Sequence, residues 1–140
     1  MSARPFVLDA SVALSWYLDP ATPRLALRVR QHLENGGRAV VPVLWHLEIA
    51  NACVSATRRG AAGANVAACL NQLQYLLRTS IETNTDIPTI SELVDVARAL
   101  QLTAYDALYI HLAERLGLPL ATLDQSLAHA ARKFAIVLFA

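Results

Sequence analysis

The chain has 140 residues, of which 55% are hydrophobic and 16% charged, and its net charge at pH 7 is +1. This length fits one domain, and the composition excludes a disordered or fibrous protein. The low net charge excludes a uniformly basic nucleic-acid binder, and the apolar runs are shorter than the roughly 20 residues needed to span a bilayer. We therefore expect a single domain over residues 1–140 that has no membrane partner.

Short apolar runs alternate with stretches of helical periodicity along the chain. In chain order, the predicted strands cover residues 6–8, 39–41, 79–82, 120–122 and 135–138. The predicted helices cover residues 10–18, 25–33, 43–59 and 64–78, two segments that begin at Thr89 and Thr103, and finally 125–133. Thr89 and Thr103 each stand three residues before an acidic residue, a capping box that begins a helix.

Strands this short and apolar, separated by helices, indicate a parallel sheet covered on both faces. The predicted fold is therefore α/β, a three-layer α/β/α sandwich with a short, mainly parallel central sheet. Two isolated cysteines, Cys53 and Cys69, lack metal-ligand spacing and lie in apolar helical stretches. Buried free thiols are the expectation for such a pair, and they favour a reducing cytoplasm.

Three aspartates stand where a parallel sheet would bring them together. Asp9 directly follows the first predicted strand, Asp124 follows the strand at 120–122, and Asp106 lies in the first turn of a helix. Strands of a parallel sheet end on one edge, and ligands bind outside those carboxyl ends. Helix capping is the alternative for each residue, because Asp is favoured at N-caps and in first helical turns.

Glu48 lies in the middle of the predicted helix 43–59, where no cap explains it. On a helical wheel it shares a narrow polar stripe with Asn51, one turn away. Most other positions of this helix are apolar, so we expect it to be buried around much of its circumference. The stripe is either the solvent face of the helix or the lining of a polar cleft, and the pattern favours neither.

Clustered carboxylates repel one another unless a proton or a cation neutralises them. Oxygen ligands without His or Cys suit hard ions, so Mg²⁺ is the expected cofactor, with Mn²⁺ as the alternative. The expected metal ligands are Asp9, Asp106 and Asp124, while Glu48 positions the metal or a water. Such a site takes a phosphate as a further ligand and activates water for phosphodiester cleavage.

At these residues the sequence resembles PIN-domain proteins of the VapC toxin group, the ribonuclease half of toxin–antitoxin pairs. The matching segments are FVLDASVALSWYL, VPVLWHLEIANA, LTAYDALYIHLAERLGLPLATLD and the closing AIVLF. Asp9, Glu48, Asp106 and Asp124 match the four acidic positions of the family. Ser11 and Thr122 match its two hydroxyl positions, which support the metal site, and Asn51 is a further supporting candidate.

The resemblance implies a Mg²⁺-dependent endoribonuclease that acts on tRNA or ribosomal RNA as the toxin of a type II pair. It also implies a homodimer and a cognate VapB-like antitoxin, whose C-terminal segment occupies the active-site cleft. We expect the apolar surface of the helices at 43–78 to receive such an amphipathic segment. A non-catalytic relative that acts only through protein partners is the alternative.

A phosphoacceptor receiver-like domain is a rival α/β prediction. It needs an acceptor aspartate in mid-chain and a lysine near the end of its last strand, whereas Asp86 follows a doubtful strand and Lys133 precedes one. Five aromatic residues on predicted helices offer either base-stacking surfaces or core and dimer packing: Trp16, Tyr17, Trp45, Tyr105 and Tyr109. Among them, Tyr105 stands beside Asp106.

Overall fold

Four short strands form the sheet of the computed structural model, which describes residues 4–60 and 63–140. They are β1 (Phe6–Leu8), β2 (Ala39–Pro42), β3 (Ile81–Asn84) and β4 (Leu120–Ala121). The helices of the described residues are α1 (Ala10–Leu18), α2 (Arg24–Glu34), α3 (Val43–Arg59), α4 (Gly63–Thr79), α5 (Ile90–Leu100), α6 (Ala104–Leu116) and α7 (Gln125–Lys133). Every residue of β1, β2 and β4 is buried, which is why these strands read as continuous apolar runs.

All neighbouring strands pair in parallel, in the order β3-β2-β1-β4. From β1 the chain steps to β2 and β3 in one direction, then crosses back and places β4 on the other side of β1. The strand order therefore reverses between β1 and β4. Open parallel sheets have their ligand crevice at such a reversal, outside the carboxyl ends of the two strands.

The helices form two groups that cover the sheet. Helix α1 packs against α2, α3 and α4, whereas α6 packs against α5 and α7 and also lies on β1, β2 and β4. The predicted three-layer α/β/α sandwich is confirmed, and the described sheet is entirely parallel. Cys53 and Cys69 are both buried in the core, as predicted.

The ends of two helices determine what reaches the ligand edge. Helix α3 begins directly after β2, so its first turns lie at the carboxyl edge of the sheet. Helix α6 ends shortly before β4 begins, so it runs against the strand direction and also starts at that edge. Thr103 caps α6 by accepting a hydrogen bond from the Asp106 N–H at 3.1 Å, as its capping box predicts.

Two strand predictions need correction. The strand expected at 135–138 is only a single parallel bridge between Leu138 and Leu120. The Ala135 and Ile136 N–H groups still donate to carbonyls at the end of α7, and Ala135 has a φ of +56° that is not extended. The strand expected at 79–82 begins two residues later, at Ile81, because the Ser80 N–H still donates to the Leu76 carbonyl and prolongs the end of α4.

The predicted burial of α3 is wrong on one side. Val43, Leu47 and Val54 are apolar yet exposed, so this helix presents an apolar face to solvent. The helical pattern alone could not distinguish an apolar face that packs in the core from one that does not. None of the helices in the described ranges combines the length and apolar character needed to span a bilayer.

Candidate metal centre

The four predicted acids line one cleft at the carboxyl edge of the sheet. The cleft has a volume of about 310 Å³ and opens where the strand order reverses. Its polar lining consists of Asp9, Ser11, Glu48, Asn51, Asp106 and Asp124. The fold therefore brings together all the acids that the sequence analysis singled out, from four different elements of the chain.

Asp9 is the most buried of these acids, with 6% of its surface exposed. Its backbone N–H donates to the Ala121 carbonyl at 3.0 Å, which continues the β1–β4 pairing beyond the strand. Its Oδ2 atom accepts hydrogen bonds from Ser11 Oγ and Thr122 Oγ1, both at 2.7 Å. Within the described residues the Asp9 side chain makes no capping bond to α1, so the capping alternative is wrong for Asp9.

The directions of these two bonds are set by a second pair of hydrogen bonds. Ser11 Oγ accepts from the Leu123 N–H at 3.1 Å, and Thr122 Oγ1 accepts from the Asp124 N–H at 3.0 Å. Because each hydroxyl has one proton, that proton is directed to Asp9. The two hydroxyls thus connect the end of β1 to the end of β4 and orient the Asp9 carboxylate.

The charged form of Asp9 is disfavoured in the protein alone. Burial raises the pKa of its carboxyl group above the ordinary value, and the nearby charge of Asp124 raises this pKa further. The hydrogen bonds from Ser11 and Thr122 act in the opposite direction but do not cancel the effect of burial. A cation in the cleft would remove this penalty by neutralising the carboxylates.

Glu48 points into the same cleft from α3. Its Oε1 atom accepts a hydrogen bond from the Tyr109 hydroxyl at 2.5 Å. Burial raises the pKa of Glu48, the Tyr109 hydrogen bond opposes this shift, and the charges of Asp9 and Asp106 add to it. The solvent-face alternative is therefore wrong for Glu48, while Asn51, one turn further on, is exposed and lines the cleft beside it.

Asp106 and Asp124 differ in how their carboxylates are bonded. The pKa of Asp106 is raised, first by burial and then by the charges of Asp124 and Asp9. Asp124 caps α7, because its Oδ1 accepts from the Ser126 and Leu127 N–H groups at 2.9 and 3.2 Å and from Ser126 Oγ at 2.7 Å. These bonds hold the pKa of Asp124 below its ordinary value. The capping alternative is thus correct for Asp124, which lines the cleft as well.

In three of the acids, one carboxylate oxygen is bonded and the other is left available. Oδ2 of Asp9, Oε1 of Glu48 and Oδ1 of Asp124 accept the hydrogen bonds described above. The second oxygen of each carboxylate accepts none of these side-chain and capping bonds. An acid set that is oriented by one oxygen and free at the other suits a hard divalent cation.

The acids are close enough to interact electrostatically but do not yet converge on one point. Over residues 4–60 and 63–140, no three His, Cys, Asp or Glu side chains form a ready set of metal ligands. Ion binding therefore requires small side-chain movements or bridging waters. Mg²⁺ usually retains several waters in protein sites, so this donor set fits that ion.

Tyr109 is the site residue that the sequence analysis did not assign. Its side chain is completely buried, which excludes base stacking and confirms packing in the core. It lies three residues after Asp106 on α6, so both residues face the cleft side of this helix. That spacing was the signal in the sequence that could have identified Tyr109.

Asp86 pairs with Arg115 at 2.9 Å outside the acidic cleft, so the receiver-like prediction lacks its acceptor site.

Comparison with known proteins gives one family and several similar structures. The sequence model of the PIN-domain family matches residues 6–133 of the chain. The chain is 26% identical to PAE2754 from Pyrobaculum aerophilum, with a TM-score of 0.69 over 91% of this chain and 84% of that one. No curated protein matches the chain.

Two further structures support the fold alone. FitAcB from Neisseria gonorrhoeae is 18% identical, with a TM-score of 0.61 and 96% of each chain covered. A domain of a functionally unknown protein from Methanocaldococcus jannaschii is 19% identical, with a TM-score of 0.57 over 98% of this chain and 90% of that one.

Proposed function

The chain belongs to the PIN-domain family, and from that premise we propose that it is a Mg²⁺-dependent endoribonuclease. PIN domains are generally nucleases. The observation that supports the proposal best is the cleft that Asp9, Glu48, Asp106 and Asp124 line at the reversal point of the sheet. We also propose that residues 1–140 make up one nuclease domain, which the family match over residues 6–133 supports.

In this proposal, Asp9, Asp106 and Asp124 hold the ion, and Mn²⁺ can replace Mg²⁺. The ion supplies water activation and charge stabilisation during in-line displacement at phosphorus. Ser11 and Thr122 bond to the same oxygen of Asp9, and its other oxygen would serve the ion. Glu48, oriented by Tyr109, uses its free oxygen to position the attacking water. Asn51 lies at the rim of the cleft as a supporting hydrogen-bonding group.

Asp9→Asn is the sharpest test of the nuclease proposal. The amide is isosteric with the carboxylate, so the fold should persist, while the ligand charge is lost. We expect purified wild type to cleave RNA in Mg²⁺ and the variant to lose cleavage by at least about a hundredfold, as for loss of a directly acting site group. Asp95→Asn, on the exposed surface of α5, is the matched control and should cleave like wild type. Equal cleavage by wild type and Asp9→Asn would refute the assignment.

The toxin role is a separate part of the proposal. We propose that the chain is a VapC-type toxin of a type II pair, forms a homodimer in the cytoplasm and is inhibited by a VapB-like antitoxin. The exposed apolar side chains of Val43 and Val54 on α3 support a protein partner on this side of the molecule. The buried thiols of Cys53 and Cys69 suit a reducing compartment.

Expression in cells distinguishes a toxin from a nuclease of another kind. Induction of the wild-type chain alone should arrest growth, whereas Asp9→Asn at equal abundance should not. Co-expression of a cognate VapB-like antitoxin should relieve the arrest. Normal growth with abundant, cleavage-competent protein would contradict the toxin role and leave the nuclease proposal intact. Arrest by both wild type and Asp9→Asn would instead favour a non-catalytic protein that acts through its partners.

A further inference from the structure

A second hollow adjoins the acidic cleft. It has a volume of about 460 Å³ and shares Glu48, Asn51 and Asp106 with the cleft. Its remaining wall consists of Leu44, Leu47, Thr103 and Tyr105. We call Leu44, Leu47 and Tyr105 the apolar shelf. The shelf is therefore a direct continuation of the candidate metal centre.

The shelf is exposed although it is apolar. Leu47 is 64% exposed and Tyr105 is 66% exposed, at the beginnings of α3 and α6. Large apolar side chains grouped on a surface commonly mark a binding site. An exposed aromatic ring beside a group of carboxylates also cannot be explained by core packing.

Helices α3 and α6 place the side chains of the shelf next to the acids. Tyr105 directly precedes Asp106 in the first turn of α6, and the Thr103 cap sets where that turn begins. Leu47 directly precedes Glu48 on α3, and Leu44 lies one turn before Glu48. Each helix therefore contributes one acid to the cleft and a neighbouring apolar side chain to the shelf.

We propose that the apolar shelf and Asn51 form a nucleobase subsite for single-stranded RNA. The proposal rests on the nuclease function. A phosphate bound at the acids carries a nucleoside on each side, which brings a base within reach of the adjoining shelf. The ring of Tyr105 supplies a stacking surface, Leu44 and Leu47 complete the apolar contact, and the Asn51 amide reaches a base edge.

This geometry restricts which nucleotides can occupy the subsite. A base can stack on Tyr105 only when it is separated from its neighbour in the strand, so the target nucleotide is unpaired. Every base has an aromatic face, so the stacking itself tolerates all four bases. Selectivity among bases at this position then depends on the single amide of Asn51. We therefore expect a broad preference for flexible, single-stranded segments.

RNA binding measured without cleavage tests the subsite. In the Asp9→Asn background, with Mg²⁺ present, a fluorescent single-stranded RNA oligonucleotide is titrated and its anisotropy recorded. Adding Tyr105→Ala should weaken binding by about 5- to 150-fold, the range for loss of one base–aromatic stack. Tyr105→Phe keeps the ring and should recover most of that affinity. Tyr75→Ala is the matched control, because Tyr75 is 57% exposed on α4 and lines a different hollow.

Cleavage by otherwise wild-type protein separates this proposal from the nuclease proposal. Tyr105→Ala should raise KM more than it lowers kcat, because stacking binds the substrate before and during the reaction. An RNA that lacks the base of one nucleotide beside the scissile phosphate should bind to wild type more weakly, by the same factor as the Tyr105→Ala substitution. The same change in the RNA should leave the affinity of Tyr105→Ala unchanged. Equal affinity and equal KM for wild type and Tyr105→Ala would overturn the subsite and leave the shelf to a protein partner. Cleavage by neither protein would overturn the nuclease proposal, while Tyr105-dependent binding would still support the subsite.

Discussion

Replacing Tyr109 by Phe removes one oxygen atom from the interior beside the acids. The Tyr109 ring is completely buried and remains in place in the variant, so packing changes little. The hydroxyl donates to Glu48 Oε1 at 2.5 Å, and this bond both orients the carboxylate and favours its charged form. Loss of the bond should therefore affect stability, catalysis and the pH profile together.

The expected magnitudes follow from the contact. A hydrogen bond to a charged group contributes about 1.5–3 kcal/mol, and because Glu48 is only half-buried and can recruit water, we expect a loss near the lower value, about 1.5 kcal/mol. Groups that orient metal-site residues typically change activity by about 10- to 100-fold, so kcat/KM should fall in that range. Because the Tyr109 bond lowers the pKa of Glu48, its removal should raise that pKa. The acid limb of the rate profile should therefore move to higher pH.

Wild type and Tyr109→Phe are compared in three measurements: the free energy of unfolding in urea, the affinity for Mg²⁺ by titration, and kcat/KM from pH 5 to 9. Tyr17→Phe is the control, because its hydroxyl also donates to a single side chain, Gln72 Oε1 at 2.8 Å, but lies at the surface away from the acids. If Tyr109→Phe lost stability while keeping the wild-type kcat/KM and acid limb, its hydroxyl would be purely structural and the positioning role would be refuted.

Three further perturbations test the geometry around the acids. Thr122→Val removes a donor to the buried Asp9 carboxylate and should lower the free energy of unfolding by about 1.5–3 kcal/mol in urea titrations; a change below about 0.5 kcal/mol would contradict the bonding described. The pKa values of Asp9, Glu48 and Asp106 are raised on folding, so the metal-free protein should lose stability as pH rises from their ordinary values through the raised ones. Mg²⁺ should therefore raise Tm more at pH 8 than near pH 4, about the ordinary pKa of these groups, and an equal rise at both would contradict ion binding at these carboxylates. Gly117→Ala should cost about 1–2 kcal/mol in thermal unfolding, because its φ of +64° is strained for alanine although open space surrounds the position; an unchanged Tm would show that the turn adapts.

The positions of the acids that follow strands were predictable from two simple rules. Asp9 and Asp124 each come directly after a short apolar run, and parallel strands all end on one edge. The structure places both residues in one cleft at the strand reversal. Their hydrogen bonding was not predictable, since capping preferences are the same for both, yet Asp124 caps its helix and Asp9 instead receives two hydroxyl bonds.

The orientation of α3 required the tertiary structure. The helical pattern placed Glu48 on a polar stripe, but a stripe can face water or a cleft. The contact with Tyr109, 61 positions away in the chain, decides between these alternatives. An apolar surface was expected on the helices at 43–78, but the residues of its exposed part could not be named, because periodicity records which residues share a face and carries no information on what lies against that face.

The amino-acid sequence was enough to predict the α/β class, the order of the helices and most strands, the capping boxes at Thr89 and Thr103 and the four acids of the cleft. These features depend on local periodicity, on capping chemistry or on residue type, all of which act over short stretches of chain. Only the tertiary structure shows the strand order β3-β2-β1-β4, the contact of Tyr109 with Glu48, the reduction of the last strand to one bridge and the apolar shelf beside the acids. Each of these depends on contacts between residues far apart in the chain, which form only when the whole core packs.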